Sequence, residues 1–263
     1  MIAGSGPRAG HCRALVGGVY EALSTAKGID VESVHRTVIV TGASGNLGRA
    51  VAGAFAAEGA NLVLVARHEA TLAEQFGGDG ERRLFVAADL GRQDDANGVA
   101  AAARARFGRI DTVCNLAGAF RIDGPVHETS DATWQFLFDT NVRSVLCMAR
   151  ACVPAMLEAG GSIVNVAAYA ALRGGANMGA YAASKAAVMR LTEAMSAELR
   201  ERGINVNCVL PTTIDTPQNR QAMPGADPAR WVAPGDLARI IVFLASPAAR
   251  AIHGASIPVS GLS

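Results

Sequence analysis

Short runs of apolar, mostly β-branched residues alternate along the chain with longer stretches in which apolar residues recur every three or four positions. The short runs have the composition of buried strands, and the longer stretches have the period of helices with one apolar face. The alternation begins at Thr37 and continues almost to the carboxyl terminus. Strands that alternate with helices form right-handed βαβ units, so the pattern predicts a parallel sheet with helices on both faces.

The predicted fold class is α/β, a Rossmann-type doubly wound sheet of seven parallel strands in a single domain. The strands are predicted at residues 37–40, 61–65, 84–87, 112–115, 162–166, 205–209 and 257–259. Helices are predicted at residues 46–58, 95–107, 131–159, 179–202 and 234–245. The domain is expected to cover residues 36–263, which is ample length for one large core.

Residues 1–35 precede this alternation and carry no motif with recognisable chemistry. A short helix is predicted over residues 13–27, ended by Gly28. We interpret the segment as an N-terminal extension that is flexible or loosely docked. The alternative is a partner-binding or lid segment.

The charge and the apolar runs of the sequence argue against some classes of binding partner. The chain has 24 Lys and Arg against 23 Asp and Glu, which leaves no overall field to attract nucleic acid or an anionic membrane. It contains no apolar run long enough for a membrane span and no apolar leader of the secretory type. We therefore expect a cytoplasmic protein that acts on a small molecule and binds neither nucleic acid nor membrane.

The cysteines and histidines point to neither disulfides nor metal. The five cysteines are an odd number without metal-ligand spacing, which predicts buried thiols in a reducing compartment. The five histidines form no close pair or triad, so no metal is predicted. These residues are Cys12, Cys114, Cys147, Cys152 and Cys208, and His11, His35, His68, His127 and His253.

Glycines cluster directly after the first predicted strand, where residues 41–48 read TGASGNLG. Glycine lets the backbone turn sharply and approach a pyrophosphate, whose charge the N–H groups of the following helix stabilise. A glycine cluster alone also fits a structural turn, but its place between strand and helix favours dinucleotide binding. The candidate cofactor-binding residues here are Gly42, Ser44, Gly45, Asn46, Leu47 and Gly48.

The end of the second predicted strand bears on the choice of cofactor. Dinucleotide sites of this type often place an acidic residue there to bind the adenosine ribose, whereas this chain has Ala66 followed by Arg67. A guanidinium forms strong charge-assisted hydrogen bonds to a phosphate, so Arg67 favours NADP(H) over NAD(H). The alternative is a solvated arginine at a strand end.

Tyr181 and Lys185 lie four residues apart in the predicted helix 179–202 and therefore share one face. A neighbouring ammonium favours tyrosinate, so we expect the pKa of Tyr181 to fall below its ordinary value of about 10. Such a pair is a candidate for proton transfer. The same spacing also fits a packed tyrosine beside a surface lysine.

Taken together, these motifs resemble the short-chain dehydrogenase/reductase family over residues 36–263. Residues 41–48 resemble its glycine motif, residues 115–118 (NLAG) its Asn-Asn-Ala-Gly strand end, and Tyr181 with Lys185 its Tyr-x-x-x-Lys. The resemblance implies a helix asparagine, Asn141, that supports a water and the lysine. It also implies the further cofactor-binding residues Asp89, Leu90, Asn115, Ala117, Gly118, Tyr181, Lys185, Pro211, Ile214 and Thr216.

The implied activity is that of an NAD(P)(H)-dependent oxidoreductase that transfers hydride between the nicotinamide and a small carbonyl, alcohol or conjugated heterocyclic substrate. By the resemblance Tyr181 exchanges a proton with the substrate, Lys185 binds the nicotinamide ribose and tunes Tyr181, and Asn141 completes the catalytic set. The resemblance also implies a homo-oligomer, a tetramer or dimer, with residues 141–159 and 179–202 packed between subunits.

One position departs from the family pattern. The family's serine, thirteen residues before the tyrosine, is Ala168 here, and loss of one polarising donor costs about 3 kcal/mol in carbonyl chemistry. Tyr169 is expected to point elsewhere if the strand end is extended. Residues 168–172 and 209–231 resemble dihydropteridine reductases, which also lack the serine. An alternative is a cofactor-binding sensor or scaffold with little turnover.

Three residues on the segment that follows the sixth predicted strand fit either a structural or a ligand-binding role. Asp215 and Arg220 fit a lid salt bridge or the recognition of a polar ligand, and the salt bridge is the favoured interpretation. Trp231 fits a stacking platform for a planar ligand or a packing anchor for the helix that begins near Pro234.

Overall fold

The structure is a computed structural model that describes residues 35–263. The predicted helix over residues 13–27, nearly all of the predicted extension, Cys12 and His11 lie outside the described residues. The predicted division of the chain near residue 35 therefore stays a prediction.

Seven parallel strands form one sheet in the order β3-β2-β1-β4-β5-β6-β7. They are β1 (Thr37–Thr41), β2 (Asn61–Ala66), β3 (Arg83–Ala87), β4 (Thr112–Asn115), β5 (Gly161–Val166), β6 (Ile204–Pro211) and β7 (Ser256–Val259). All seven predicted strands are confirmed, with ends that move by at most two residues. The strand order reverses between β1 and β4, and ligands of such sheets bind in the crevice at the carboxyl ends of the strands beside that reversal.

The described part of the chain contains eight α-helices. They are α1 (Asn46–Ala57), α2 (Glu69–Phe76), α3 (Gln93–Phe107), α4 (Asp131–Phe138), α5 (Ser144–Met156), α6 (Gly179–Leu199), α7 (Pro217–Ala222) and α8 (Pro234–Leu244). Two of them, α2 and α7, were not predicted. Leu72 is the one fully buried residue of α2, and α7 buries none, so neither helix carries the apolar period by which helices are recognised.

The predicted single helix over residues 131–159 is wrong in two respects. A π-helical turn over Asp139–Arg143 separates α4 from α5, and it contains the buried side chain of Asn141. The second helix ends at Met156, because Gly160 has a positive φ of 74° and its N–H donates to the Met156 carbonyl.

Helices cover both faces of the sheet, as predicted. One apolar core contains Phe55 of α1 together with Leu237 and Ile241 of α8, and the other contains Val99 of α3 and Met148 of α5. The four described cysteines, Cys114, Cys147, Cys152 and Cys208, are free and buried. Within residues 35–263, no helix combines the length and the apolar character needed to cross a membrane.

Two buried side-chain hydrogen bonds connect the centre of the sheet to α6. The amide of Asn115 donates to Asn165 Oδ1 over 2.8 Å, and the amide of Asn165 donates to Thr192 Oγ1 over 2.9 Å. All three side chains are buried, so each bond is sheltered from water. These two hydrogen bonds link α6, which carries Tyr181 and Lys185, to β4 and β5.

Candidate active site

The glycine turn after β1 packs against the end of β4. Gly42 has a φ of 63°, and a Cβ on it would lie 2.9 Å from the backbone nitrogen of Ala117. A Cβ on Gly48 would overlap the Gly42 carbonyl oxygen and lie 2.7 Å from the Cα of Ala43. Side chains are therefore excluded at both positions, and the chain makes the tight turn that a pyrophosphate site requires.

Thr41 joins the same two strand ends. Its Oγ1 accepts hydrogen bonds from the N–H groups of Leu116, at 3.0 Å, and Ala117, at 3.1 Å. Sequence reasoning did not select Thr41, although a threonine at a strand end directly before the glycine turn was a signal that could have found it. The hydroxyl helps to align residues 116–118 with the turn.

The start of α1 suits an anion. No side chain caps the helix at Gly45, and its first turn contains no acidic residue. The first N–H groups of a helix have no partner within the helix, and they lie at the positive end of its dipole. The Asn46 amide donates to Gln218 Oε1 over 2.8 Å, which links the turn to α7. These residues fit the phosphates of a dinucleotide.

Arg67 and Asp89 lie at the same edge of the sheet, just after the neighbouring strands β2 and β3. Both are exposed, whereas Leu90 is buried. Asp89 Oδ1 accepts from the Gly91 N–H over 3.0 Å, and its second oxygen makes no such bond. Arg67 forms no hydrogen bond or ion pair with any other described residue. Both side chains are thus exposed where a Rossmann site binds adenosine.

Lys185 is buried beside Gly118 on the face of α6 that meets the strand ends. Its Nζ donates to the Val166 carbonyl over 2.8 Å. A Cβ on Gly118 would lie 3.1 Å from both Lys185 Nζ and Asn141 Oδ1, so a side chain here would crowd these two groups. Tyr181, half-buried, lies one turn earlier, and the edge of its ring contacts Phe120. The structure thus brings together residues 118, 141 and 185.

The expected direction of the Tyr181 pKa shift is wrong. Burial raises the pKa of Tyr181 to about 12, because the charged phenolate loses its hydration. Burial also lowers the pKa of Lys185 to about 8, an effect that the neighbouring Cys208 opposes. At neutral pH, Tyr181 therefore holds its proton and Lys185 is an ammonium.

Asn141 binds the backbone of the segment after β4 rather than Lys185. Its Oδ1 accepts from the Ala119 N–H over 2.7 Å, and its amide donates to the Ala119 carbonyl over 3.0 Å. The amide also donates to Ser184 Oγ, and that hydroxyl donates to the Tyr181 carbonyl over 2.8 Å. Ser184 was not selected from the sequence. It connects Asn141 to the helix that carries Tyr181.

The position of the family's serine is buried and has no hydroxyl. Ala168 has extended backbone, with a φ of −159°, and precedes a short turn over Tyr169–Ala171. Tyr169 is about half exposed rather than turned into the core. No side-chain donor is therefore present at residue 168.

The segment after β6 is held by local hydrogen bonds. Ile214 pairs with Val232 in an isolated β-bridge, and Thr216 Oγ1 accepts from the Asn219 N–H as the cap of α7. Arg220 donates to both carboxylate oxygens of Asp215 over 2.6 and 2.7 Å, which confirms the predicted salt bridge. This pairing lowers the pKa of Asp215.

Two further expectations concern Trp231 and metal. Trp231 is half-buried, and both interpretations of its role stay predictions. Among residues 35–263, no group of three or more His, Cys, Asp or Glu side chains is arranged to hold a metal ion.

Comparison with known proteins gives consistent matches. The family model described as short chain dehydrogenase matches residues 36–226. The 3beta-hydroxysteroid dehydrogenase of Mediterraneibacter gnavus is 32% identical over 262 residues, covering 86% of this chain and 94% of that protein. The D-threitol dehydrogenase of Mycolicibacterium smegmatis is 35% identical over 239 residues, covering 86% and 92%.

A solved structure agrees in fold. The 3-ketoacyl-(acyl-carrier-protein) reductase from Brucella melitensis, complexed with NADH, superposes with a TM-score of 0.78 at 29% identity, covering 87% of this chain and 98% of that one. The family model spans most of the chain, and both relatives exceed 30% identity over more than two thirds of it. The chain therefore belongs to the short-chain dehydrogenase/reductase family and is an oxidoreductase.

Proposed function

We propose that the protein transfers hydride between NAD(P)(H) and a small carbonyl or alcohol, with Tyr181 exchanging the proton. The observation that carries the proposal is the placement of Tyr181 and the buried Lys185 on one helix, at the sheet edge where the glycine turn also lies. The names of both relatives are those of dehydrogenases of hydroxylated compounds, which supports an alcohol and carbonyl couple.

The family uses a nicotinamide cofactor, and the residues present fit one. The glycine turn excludes side chains where a pyrophosphate approaches, and the start of α1 is uncapped. When bound, the cofactor supplies the hydride for reduction or accepts it for oxidation. The residues proposed to hold it are Gly42, Ser44, Gly45, Asn46, Leu47, Gly48, Arg67, Asp89, Leu90, Asn115, Ala117, Gly118, Tyr181, Lys185, Pro211, Ile214 and Thr216.

Within this set, the side chains of Asn115 and Thr216 also form hydrogen bonds within the protein. The Asn115 side chain donates one N–H to Asn165, which leaves its backbone, its second N–H and its Oδ1 for the cofactor. Thr216 Oγ1 accepts a hydrogen bond as a helix cap and keeps its own proton free to donate.

The proton chemistry follows from the two shifted pKa values. In ketone reduction, Tyr181 Oη donates its proton to the carbonyl oxygen as hydride reaches the carbonyl carbon. The tyrosinate that remains is stabilised by the Lys185 ammonium, which the Val166 carbonyl orients. Asn141 acts as a positioning residue, because it holds the backbone of Ala119 and, through Ser184, the start of α6.

Arg67 supports NADP(H) as the preferred cofactor. Its guanidinium is exposed directly after β2 without a partner in the described part of the chain, and the preceding residue is Ala66, which offers no carboxylate to a ribose. A guanidinium in this place neutralises a 2′-phosphate.

Ala168 favours a second candidate substrate, a conjugated heterocycle such as quinonoid dihydropterin. Such a ring accepts hydride without a serine to polarise a carbonyl, so the absent hydroxyl at residue 168 costs it little. A sensor or scaffold without turnover is the remaining alternative. The family match supports an enzyme over it.

Exposed apolar residues on α4 and α5 support a homo-oligomer. Trp134 and Leu146 are both exposed. We propose a dimer or tetramer that covers these helices, in the cytoplasm.

Replacement of Tyr181 by Phe removes the proposed proton donor while keeping the ring. We expect kcat for NAD(P)H-dependent ketone reduction to fall about 100- to 10,000-fold, the usual contribution of general acid catalysis. Absorbance of NADPH and NADH at 340 nm, with a carbonyl panel and quinonoid dihydropterin, measures it. Cofactor binding, followed by fluorescence, is the control and should persist. An unchanged kcat would contradict the role of Tyr181.

The same assay separates the alternatives. Oxidation of NADPH by the dihydropterin but by no ketone would favour the heterocyclic substrate. Cofactor binding without oxidation by either class would favour the sensor.

The lowered pKa of Lys185 predicts a pH dependence. The ammonium that stabilises tyrosinate is present below its pKa of about 8 and is lost above it, whereas Tyr181 stays protonated to about 12. We therefore expect kcat/KM for reduction to be level below pH 8 and to fall above it. Lys185→Arg, which keeps the cation, should move the decline to higher pH. A wild-type profile that is level through pH 10 would sink this assignment.

Removal of the Arg67 side chain tests the cofactor preference. Because a charged hydrogen bond to phosphate is lost, Arg67→Ala is expected to raise the Kd for NADPH about tenfold or more and to leave the Kd for NADH nearly unchanged. Arg104→Ala, which removes an exposed arginine from α3, is the matched control. Equal weakening of both nucleotides in Arg67→Ala would show that Arg67 does not read the 2′-phosphate.

A further inference from the structure

Most of the exposed large apolar side chains lie on three segments at one edge of the sheet. Of ten exposed large hydrophobic residues in the described part of the chain, six lie on the segments that follow β4, β5 and β6. These strands are adjacent and parallel, so the three segments leave the sheet at the same edge. The six residues, which we call the apolar rim, are Phe120, Ile122, Val126, Tyr169, Leu172 and Met223.

Phe120 connects the apolar rim to the reaction centre. Its ring centroid is 4.8 Å from that of Tyr181, with the ring planes at 88°, which is an edge-to-face contact. The residue is nevertheless 58% exposed. Asn141 binds both backbone polar groups of the preceding Ala119, so the segment that presents Phe120 is held in place. An immobilised apolar ring therefore touches Tyr181 and still faces solvent.

Two of the three segments also flank α6. Val126 lies against Gly179, since a Cβ on that glycine would be 2.5 Å from Val126 Cγ2. The turn that begins at Tyr169 continues to Ala171, which packs against an apolar cluster containing Val188 of α6. The segments after β4 and β5 thus both border the helix of Tyr181.

Charged groups on the same segments are mostly engaged within the protein. Asp123 accepts from the backbone and the hydroxyl of Ser130, and the Arg121 guanidinium lies 4.1 Å from the centre of the Phe136 ring. Asp215 and Arg220 bind each other. On these three segments, Arg173 is the charged side chain that lacks a partner among the described residues. A charged substrate would find few unoccupied charged partners here.

We propose that the apolar rim binds a neutral alicyclic or aryl-fused ring next to the reacting carbon, so that the substrate is a ketone of that type or its secondary alcohol rather than a sugar or polyol. The proposal rests on the proposed function. An apolar ring would bury Phe120 and its neighbours. A polyol would lose water from its hydroxyls against side chains of which Tyr169 alone offers a hydrogen bond in return. Phe120 is the specificity-determining residue.

The reaction balances as an ordinary reduction. The carbonyl carbon accepts hydride from NAD(P)H, the π electron pair moves to oxygen, and that oxygen takes the Tyr181 proton, giving the alcohol and NAD(P)⁺. Tyr181 is reprotonated from solvent. With no hydroxyl at Ala168, orientation of the carbonyl depends on Tyr181 and on packing of the ring against Phe120.

Two ketone series test the proposal. One is apolar, with cyclohexanone, 4-tert-butylcyclohexanone and 2-tetralone, and the other is polyhydroxylated, with dihydroxyacetone and erythrulose. We expect kcat/KM to rise with apolar ring size and to be about 100-fold or more greater for 2-tetralone than for erythrulose, since each buried methylene contributes a factor of about ten or more.

Variants of Phe120 test whether this residue causes the preference for apolar ketones. Phe120→Ala should lower the ratio of kcat/KM for 2-tetralone to kcat/KM for erythrulose about tenfold or more, mainly through a higher KM for 2-tetralone. Phe120→Leu, which keeps an apolar side chain, should retain most of the preference. Phe243→Ala removes an exposed phenyl ring from α8, and the ratio between the two ketones should not change.

Two results would overturn the proposal without touching the redox function: erythrulose reduced as efficiently as 2-tetralone, or Phe120→Ala lowering both ketones equally. If no ketone oxidises the nucleotide although the cofactor binds, the proposed carbonyl reaction and the substrate class fail together. The outcomes are therefore distinguishable.

Discussion

The close backbone contact between the ends of β1 and β4 is the constraint on which the site depends. Gly42 approaches the nitrogen of Ala117 so closely that no side chain fits, and the Thr41 hydroxyl bonds the same segment. One residue later, Gly118 leaves room for Asn141 and Lys185. The glycine turn and the helix that carries Tyr181 and Lys185 are thereby held against one short piece of backbone, residues 117–118.

Burial sets the protonation states of Tyr181 and Lys185. A buried ammonium loses hydration, and a single carbonyl oxygen, that of Val166, replaces only part of it, so the pKa of Lys185 falls to about 8. The same loss of water raises the pKa of Tyr181 to about 12. A protonated phenol and a buried ammonium therefore lie on the same helix, and the proposed ketone reduction uses both.

The fold was predictable where the pattern is local. The strands are nearly continuous apolar runs because both faces of a parallel sheet are buried, and five helices carry a clear apolar period. The short helices α2 and α7 were missed because they bury one residue and none. The π-helical turn was missed because it coincides with the long-range bonds of Asn141 to Ala119, which no local pattern encodes.

Some residues of the candidate site could be predicted from the sequence, and others could not. Tyr181, Lys185 and the glycines were selected from ordered motifs that resemble the family, but the positions of Thr41, Ser184 and Phe120 matter only through residues distant in sequence. The direction of the Tyr181 pKa shift depends on burial, which spacing does not reveal. The departure at Ala168 was visible in the sequence, and its consequence depends on what surrounds the substrate.

Direct hydride transfer is the central claim, and isotope transfer measures it. NADPH deuterated at both C4 positions of the nicotinamide is incubated with the protein and an alicyclic ketone, and the product alcohol is analysed by mass spectrometry. We predict an alcohol with one deuterium on the former carbonyl carbon. Cofactor oxidation that yields an alcohol without deuterium, or deuterium lost to water, would contradict direct transfer to the substrate.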